Sequence, residues 1–142
     1  MYLNDKISKY DRGSQMNAKD TYLKIANQSL NERQFKRLER LMSAESDWDG
    51  EGAEAMKEKA LKNYLTYLHF SNRSQEKTSL FLGHNGEVVI SEMLDNGSTI
   101  DIVFGDVLIE LANDDVEMSY TSSEEDLSNL ADNVKEMLNY GK

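Results

Sequence analysis

The sequence predicts an α+β fold: a five-stranded antiparallel β-meander with N-terminal helices and one C-terminal helix packed on one face. Three observations carry this. Apolar residues keep a 3.6-residue period as far as Phe70, the mark of amphipathic helices. From Ser79 the period drops to two, and turn dipeptides recur between the apolar runs. Near the C-terminus Ser122–Glu125 has the form of a capping box and opens a last stretch with helical periodicity.

In order, residues 1–16 are polar and read as a loosely held arm, with the helical part over 17–70. Tyr22, Ile25 and Ala26 share a face of a short helix around 18–28. Ser29–Glu32 has capping-box form and leads a helix over 30–42, with Leu30, Gln34, Leu38, Leu41 and Met42 on one side. After a loop over 47–52, the next helix is expected over 53–70, burying Met56, Ala60, Leu61, Tyr64, Leu65, Tyr67 and Leu68. A polar link over 71–78 precedes the sheet, which spans 79–120. Asn85-Gly86, Asn96-Gly97, Gly105-Asp106 and Asn113-Asp114-Asp115 divide it into strands at about 79–83, 87–94, 98–104, 107–112 and 115–120. The last helix, over 123–139, places Leu127, Leu130, Ala131, Val134, Met137 and Leu138 on one face. A chain of 142 residues suits one domain, 1–142.

Two-residue loops at these turns fix a register, because the turn sets the pairing of a hairpin. Asn96-Gly97 then pairs Met93 with Ile100, Ser91 with Ile102 and Val89 with Phe104. Gly105-Asp106 pairs Phe104 with Val107, Ile102 with Ile109 and Ile100 with Leu111, and Asn85-Gly86 sets Leu82 opposite Val89. These form the face that helices cover. On the opposite face Glu92 meets Asp101 and Asp101 meets Glu110, and an Asn113-Asp114 turn adds Glu117. Beside this acidic ladder runs an apolar row of Phe81, Ile90, Val103 and Leu108. Opposed like charges destabilise a sheet by up to about 1 kcal/mol per pair. Solvation, or Lys and Arg folding over from the N-terminal helices, would leave the ladder without a partner. A bare apolar row is less readily left to solvent, and its presence points to contact.

Charge narrows the function classes. The chain carries 16 Lys+Arg against 26 Asp+Glu, a net charge of −10, without Cys or Pro. Residues 1–77 hold 14 basic and 12 acidic residues (net +2), and residues 78–142 hold 2 basic and 14 acidic (net −12). Such acidity repels nucleic acid and anionic lipid, so direct binding to DNA, RNA or membrane is not expected. Absent cysteine removes disulfides, thiolate zinc sites and a Cys nucleophile. Neither a signal-peptide core near Met1 nor an apolar run of membrane-spanning length is present, so a cytoplasmic setting is expected.

Catalytic signatures are weak. His69 and His84 have no Ser or Asp at a recognisable motif spacing, and neither a Walker loop nor a dinucleotide fingerprint occurs. The expectation is a protein that is not an enzyme and needs no cofactor. Asp47, Asp49, Glu51, Gly52 and Glu58 fall at positions 1, 3, 5, 6 and 12 of an EF-hand-like loop. Glu stands at position 5, and Glu54 fills position 8, normally a buried aliphatic. Against this calcium-responsive module, the same acids could cap the helix beginning at Ala53. Trp48, the chain's one Trp, is expected to anchor the loop of Asp47, Asp49, Gly50 and Gly52 to the core by its ring, with a partner contact as the alternative.

The segment Ser46-Asp47-Trp48-Asp49-Gly50-Glu51-Gly52-Ala53, followed by Gly86-Glu87-Val88-Val89-Ile90-Ser91-Glu92-Met93, resembles a widespread set of small bacterial and phage proteins. These share a W-D-G-x-G-A loop, a helix, and a G-x-h-x-h-E-W strand (h apolar) feeding a β-meander. The resemblance covers roughly 46–112. Glu54-Ala55-Met56 stands where that family commonly has a Pro, and Met93 where it has Trp. The resemblance implies a helix-plus-meander fold and no established activity. In size and charge the chain also resembles anti-CRISPR proteins. The expected function is an acidic inhibitor of phage or mobile-element type, a DNA mimic that occupies a basic, nucleic-acid-binding surface of a host defence protein. Its contacts would be Glu92, Asp101, Glu110 and Glu117, with Asp114, Asp115, Glu124, Glu125 and Asp126 at the edge. Phe81, Ile90, Val103 and Leu108 would add apolar contact. An antitoxin or immunity-type protein that neutralises a basic toxin would use the same face. A homodimer through the apolar row would set the acidic ladder against itself.

Overall fold

The computed structural model describes residues 18–72, 75 and 77–140. The expected arm over 1–16 lies outside them. Helices α1 (Ala18–Ala26), α2 (Glu32–Met42) and α3 (Glu58–Ser71) precede five strands. These are β1 (Thr78–Leu82), β2 (Val88–Met93), β3 (Thr99–Phe104), β4 (Leu108–Ala112) and β5 (Glu117–Thr121), and α4 (Glu124–Tyr140) ends the chain. The strands form one antiparallel sheet in the order β1-β2-β3-β4-β5, the expected meander. Helix α3 lies on β2 and β3, α4 packs along α3 and touches β5, and α2 sits at β1 with α1 behind it. Among the described residues no helix is long and apolar enough to cross a membrane.

The helical faces read from periodicity turn to the core, with Leu41, Met42, Met137 and Leu138 half-buried at its margin and Met56 half-buried ahead of its helix. Tyr22, Ile25, Ala26, Leu38, Leu61, Tyr64, Tyr67, Leu127, Leu130 and Val134 join Ile100, Ile102, Phe104, Ile109 and Leu111 of the sheet in one core. Rings of Tyr64 and Tyr67 meet that of Phe104 at centroid distances of 5.5 and 5.3 Å. Burial pushes the Tyr64 phenol above its ordinary value.

Both helix caps are displaced from the expected residues. Helix α2 is capped by Asn31, whose Oδ1 accepts from the Gln34 amide at 2.8 Å, and not by Ser29. At α4 the cap is Ser123, whose Oγ accepts from Asp126 N at 3.1 Å. Asp126 reaches back to accept from Thr121 N at 2.7 Å. The cap falls one residue later than expected, and the side chain at the third helical position bonds the amide of Thr121 instead of that of the cap residue.

Register corrects the faces of β2. Both glycine turns hold three residues, not two. Gly97 N donates to Leu94 O (3.0 Å) and Leu94 N to Ser98 O (2.7 Å); Gly86 N donates to Gly83 O (3.1 Å) and Gly83 N to Glu87 O (2.8 Å). Each is a type I turn closed by a glycine in the left-handed region, φ +89° at Gly97 and +80° at Gly86. One extra residue slips the pairing by one and turns every β2 side chain over. Glu92 therefore faces Ile100 rather than Asp101, and Ile90 faces Ile102. Ile90 and Glu92 are 1% and 6% exposed, on the core side, while Val89, Ser91 and Met93 point outward. The third turn is Asp106-Val107 instead of Gly105-Asp106, with Gly105 N bonded to Leu108 O. That two-residue shift keeps the faces and changes the partners: Phe104 pairs with Ile109, and Asp101 with Ala112, not Glu110. Likewise Asp114-Asp115 forms the last turn, which sets Glu117 opposite Ala112.

The third helix starts at Glu58, five residues later than expected. Ala, Glu, Met and Lys favour helix, yet 53–57 is not helical, because the β1–β2 turn takes the amides of Glu54 and Lys57. Glu54 N donates to His84 O at 2.8 Å and Lys57 N to Gly86 O at 2.9 Å. A Cβ on Gly86 would stand 2.5 Å from Ala55 O, whereas one on Gly97 meets nothing within 4 Å. Gly86→Ala should therefore cost more than Gly97→Ala. We expect about 1 kcal/mol for Gly97→Ala, from the φ penalty alone, and about 2–3 kcal/mol for Gly86→Ala, read by urea denaturation. Equal losses would show that 53–57 is not seated on the turn.

Candidate protein interface

The outward face of the meander carries Ser79 and Phe81 from β1, Val89, Ser91 and Met93 from β2, and Thr99, Asp101 and Val103 from β3. Leu108, Glu110 and Ala112 of β4 and Glu117, Ser119 and Thr121 of β5 complete it. Phe81, Leu108 and Met93 are 44%, 45% and 61% exposed. Phe81, Val89 and Val103 form a row across three strands that continues into Glu110, and Leu108 stands one step along β4. The apolar strip is thus the expected one with Val89 in place of Ile90.

Asp101, Glu110 and Glu117 are all exposed on this face, on three adjacent strands. They do not oppose one another. Asp101 and Glu117 both face Ala112, and Glu110 lies between Val103 and Ser119, so successive carboxylates are diagonal neighbours about 7–8 Å apart. The staggering avoids the direct like-charge contact that the expected ladder entails. Between Thr78 and Thr121 the chain has nine carboxylates and no Lys or Arg. Basic cover reaches the face at one margin, where the Arg37 guanidinium sits 5.9 Å from the Phe81 ring centroid.

The remaining acids divide. Asp114 and Asp115 are exposed in the turn before β5, and Glu124 and Glu125 begin α4 after it, so the two sets flank opposite ends of that strand. Asp126 is occupied as a cap. Glu92 lies in a buried polar seam in which it accepts from Thr78 Oγ1 at 3.0 Å, and Gln34 Nε2 donates to the carbonyls of Gln75 and Thr78. Beneath the β2–β3 and β4–β5 turns, Leu94, Val116, Met137, Asp114, Asp115 and Glu136 line an open cavity of about 420 Å³.

The Asp47–Gly52 loop turns its acids on its own backbone. Asp47, at φ +65°, accepts from Gly52 N at 2.7 Å, and Asp49 Oδ1 accepts from Glu51 N (2.8 Å) and Ala53 N (3.1 Å). Asp49 Oδ2 meets His84 Nδ1 at 3.3 Å, clasping the loop to the β1–β2 turn. Glu58 is instead engaged by the Tyr22 hydroxyl. Asp47, Asp49, Glu51 and Glu58 are not gathered around a common point, and among the described residues no group of three or more His, Cys, Asp or Glu is placed to hold a metal. Trp48 does not enter the core. It is 43% exposed, and its Nε1 donates to Glu54 O at 2.9 Å.

Two carboxylates are held below their ordinary value near 3.8: Asp49, chiefly by the Glu51 amide, and Asp126, chiefly by the Thr121 amide. Each is lower when folded than unfolded, so its contribution is full above that ordinary value and disappears as pH falls through the folded one. An Asp49→Asn, Asp126→Asn double variant should flatten the fall of Tm on acidification between about pH 5 and pH 2. An unchanged acid limb in thermal unfolding would contradict both bonds.

No family model, curated protein or solved structure matches this chain.

Proposed function

We propose that this protein acts by binding rather than catalysis, as an acidic inhibitor of phage or mobile-element type. The outer face of its meander would seat on a basic, nucleic-acid-binding surface of a host defence protein and exclude the nucleic acid. One observation carries the reading: an outward apolar strip, with Phe81 and Leu108 exposed and Val89 and Val103 half-buried, beside Asp101, Glu110 and Glu117, on a sheet without a basic residue of its own. Carboxylates on strands about 4.8 Å apart can engage the Lys and Arg that otherwise hold phosphates, and the apolar strip supplies the area that a purely charged contact lacks. Its test is capture from a host-cell lysate, resolved by mass spectrometry at low and high salt. A basic nucleic-acid-binding protein retained at low salt, lost as salt rises and displaced by nucleic acid supports the reading. Capture that neither salt nor nucleic acid weakens would overturn it.

A further inference from the structure

The two edges of the sheet are treated differently. Gly83 N bonds Glu87 O, which sets the phase of the β1–β2 ladder and turns the main-chain groups of Thr78 and Leu80 away from β2. Helix α2 closes that edge: Gln34 Nε2 donates to Thr78 O at 3.0 Å and Arg37 Nε to Leu80 O at 3.1 Å. At the other edge Asn113 N bonds Val116 O at 2.9 Å, so the pairs Ala112–Glu117, Glu110–Ser119 and Leu108–Thr121 are the non-hydrogen-bonded ones. The main-chain groups of Glu117, Ser119 and Thr121 therefore face away from β4. Thr121 N is taken by Asp126. Among the described residues nothing bonds the outward groups of Glu117 and Ser119. Glu117, Met118 and Ser119 are exposed in succession, so both faces of that half of the strand are open, while Tyr120 is buried beside α4. Natural edges are commonly blunted by Lys, Pro, a bulge or a covering element, and β5 has no Lys or Pro.

We propose that the open edge of β5 takes an extended, basic segment of the protein partner as a sixth strand. This rests on the reading that the partner is basic, and it adds the mode of contact. Charge chooses the occupant. Asp114, Asp115, Glu117, Glu124 and Glu125 surround the strand, and no Lys or Arg occurs between Thr78 and Val134. A second copy would bring the same acids against themselves. In the added strand, residues opposite Glu117 and Ser119 share the outer face and extend the contact toward Glu110. Alternate residues pack beside Met118 and Tyr120, so the fitting sequence alternates basic and apolar.

The test uses a short peptide alternating Lys and Val, its Glu-Val counterpart, and the Lys-Val peptide N-methylated at each lysine. Binding to the full chain is followed by titration and by NMR amide exchange. We expect the Lys-Val peptide to bind, the Glu-Val peptide not to, and the Glu117 and Ser119 amides to become protected. N-methylation should weaken binding at least about tenfold, since each blocked main-chain bond is worth about a factor of ten. Ser119→Pro should do the same, because it deletes an outward N–H that the β4 ladder does not use; where it lowers Tm, the N-methylated peptide gives the answer on the unaltered protein. Absent binding, or binding indifferent to N-methylation and without Glu117 and Ser119 protection, overturns the proposal. If Asp101→Lys with Glu110→Lys abolishes lysate capture while Ser119→Pro leaves it intact, the outer-face reading stands and the edge falls. A dimer abolished by Ser119→Pro would give the edge to a second copy and overturn the proposal as well.

Discussion

Glu92→Lys should destabilise the protein by about 3 kcal/mol or more, whereas Asp101→Lys should change stability by no more than about 0.5 kcal/mol. The two carboxylates sit on neighbouring strands, one residue out of line across the β2–β3 pair, yet on opposite faces. Glu92 is sealed between the sheet and the helices with the Thr78 hydroxyl donating to its Oε1, so a lysine there puts a longer side chain and an ammonium stripped of its water into a closed site. Asp101 is exposed, and replacing one of three neighbouring carboxylates with a cation relieves repulsion. Urea denaturation of the two variants reads the difference. The reverse order of losses would mean that the glycine turns hold two residues and that β2 is turned over.

Phe104→Ala is the second large effect, expected at about 3–5 kcal/mol. Phe104 is fully buried, faces Val88 and Ile109 across the ladders, and packs against Tyr64 and Tyr67 of α3. Its removal leaves a void beneath α3, and the fully buried Tyr64 and Tyr67 rings are poorly able to close it. Leu108→Ala, on the outer face, removes a smaller apolar side chain from a half-solvated site and should cost under about 1 kcal/mol in the same assay. A small loss at Phe104 would mean that α3 does not rest on β3.

The contrast between these positions marks what the sequence could and could not convey. In β3 and β4 Thr99, Asp101 and Glu110 mark the outward phase of the alternation, so burial of Ile100, Ile102, Phe104, Ile109 and Leu111 follows from pattern even though Val103 and Leu108 put apolar residues on the other face. The run Val88-Val89-Ile90-Ser91-Glu92-Met93 places two apolar residues and one polar residue toward the core, and one apolar, one serine and one methionine outward. Neither assignment is excluded by periodicity, and turn length decides. Asn-Gly serves two-residue loops and also the third position of a type I turn closed by a left-handed glycine, so the dipeptide fixes the hairpin without fixing its register. Asp101, Glu110, Glu117, Phe81, Val103 and Leu108 were legible as outer-face residues, because a shift by an even number of residues preserves faces. Ile90 and Glu92 were not, because theirs is odd. The start of α3 and the exposure of Trp48 were hidden for a different reason: both depend on main-chain bonds between 54–57 and the β1–β2 turn, distant in sequence.

The account stands on the outer face of the meander being the binding surface. Lysate capture by the triple variant Asp101→Lys, Glu110→Lys, Glu117→Lys, run beside the unaltered protein with Tm recorded for both, tests it most directly. An equal or higher Tm and loss of the salt-sensitive basic partner are expected. Capture undiminished by a folded triple variant would contradict it.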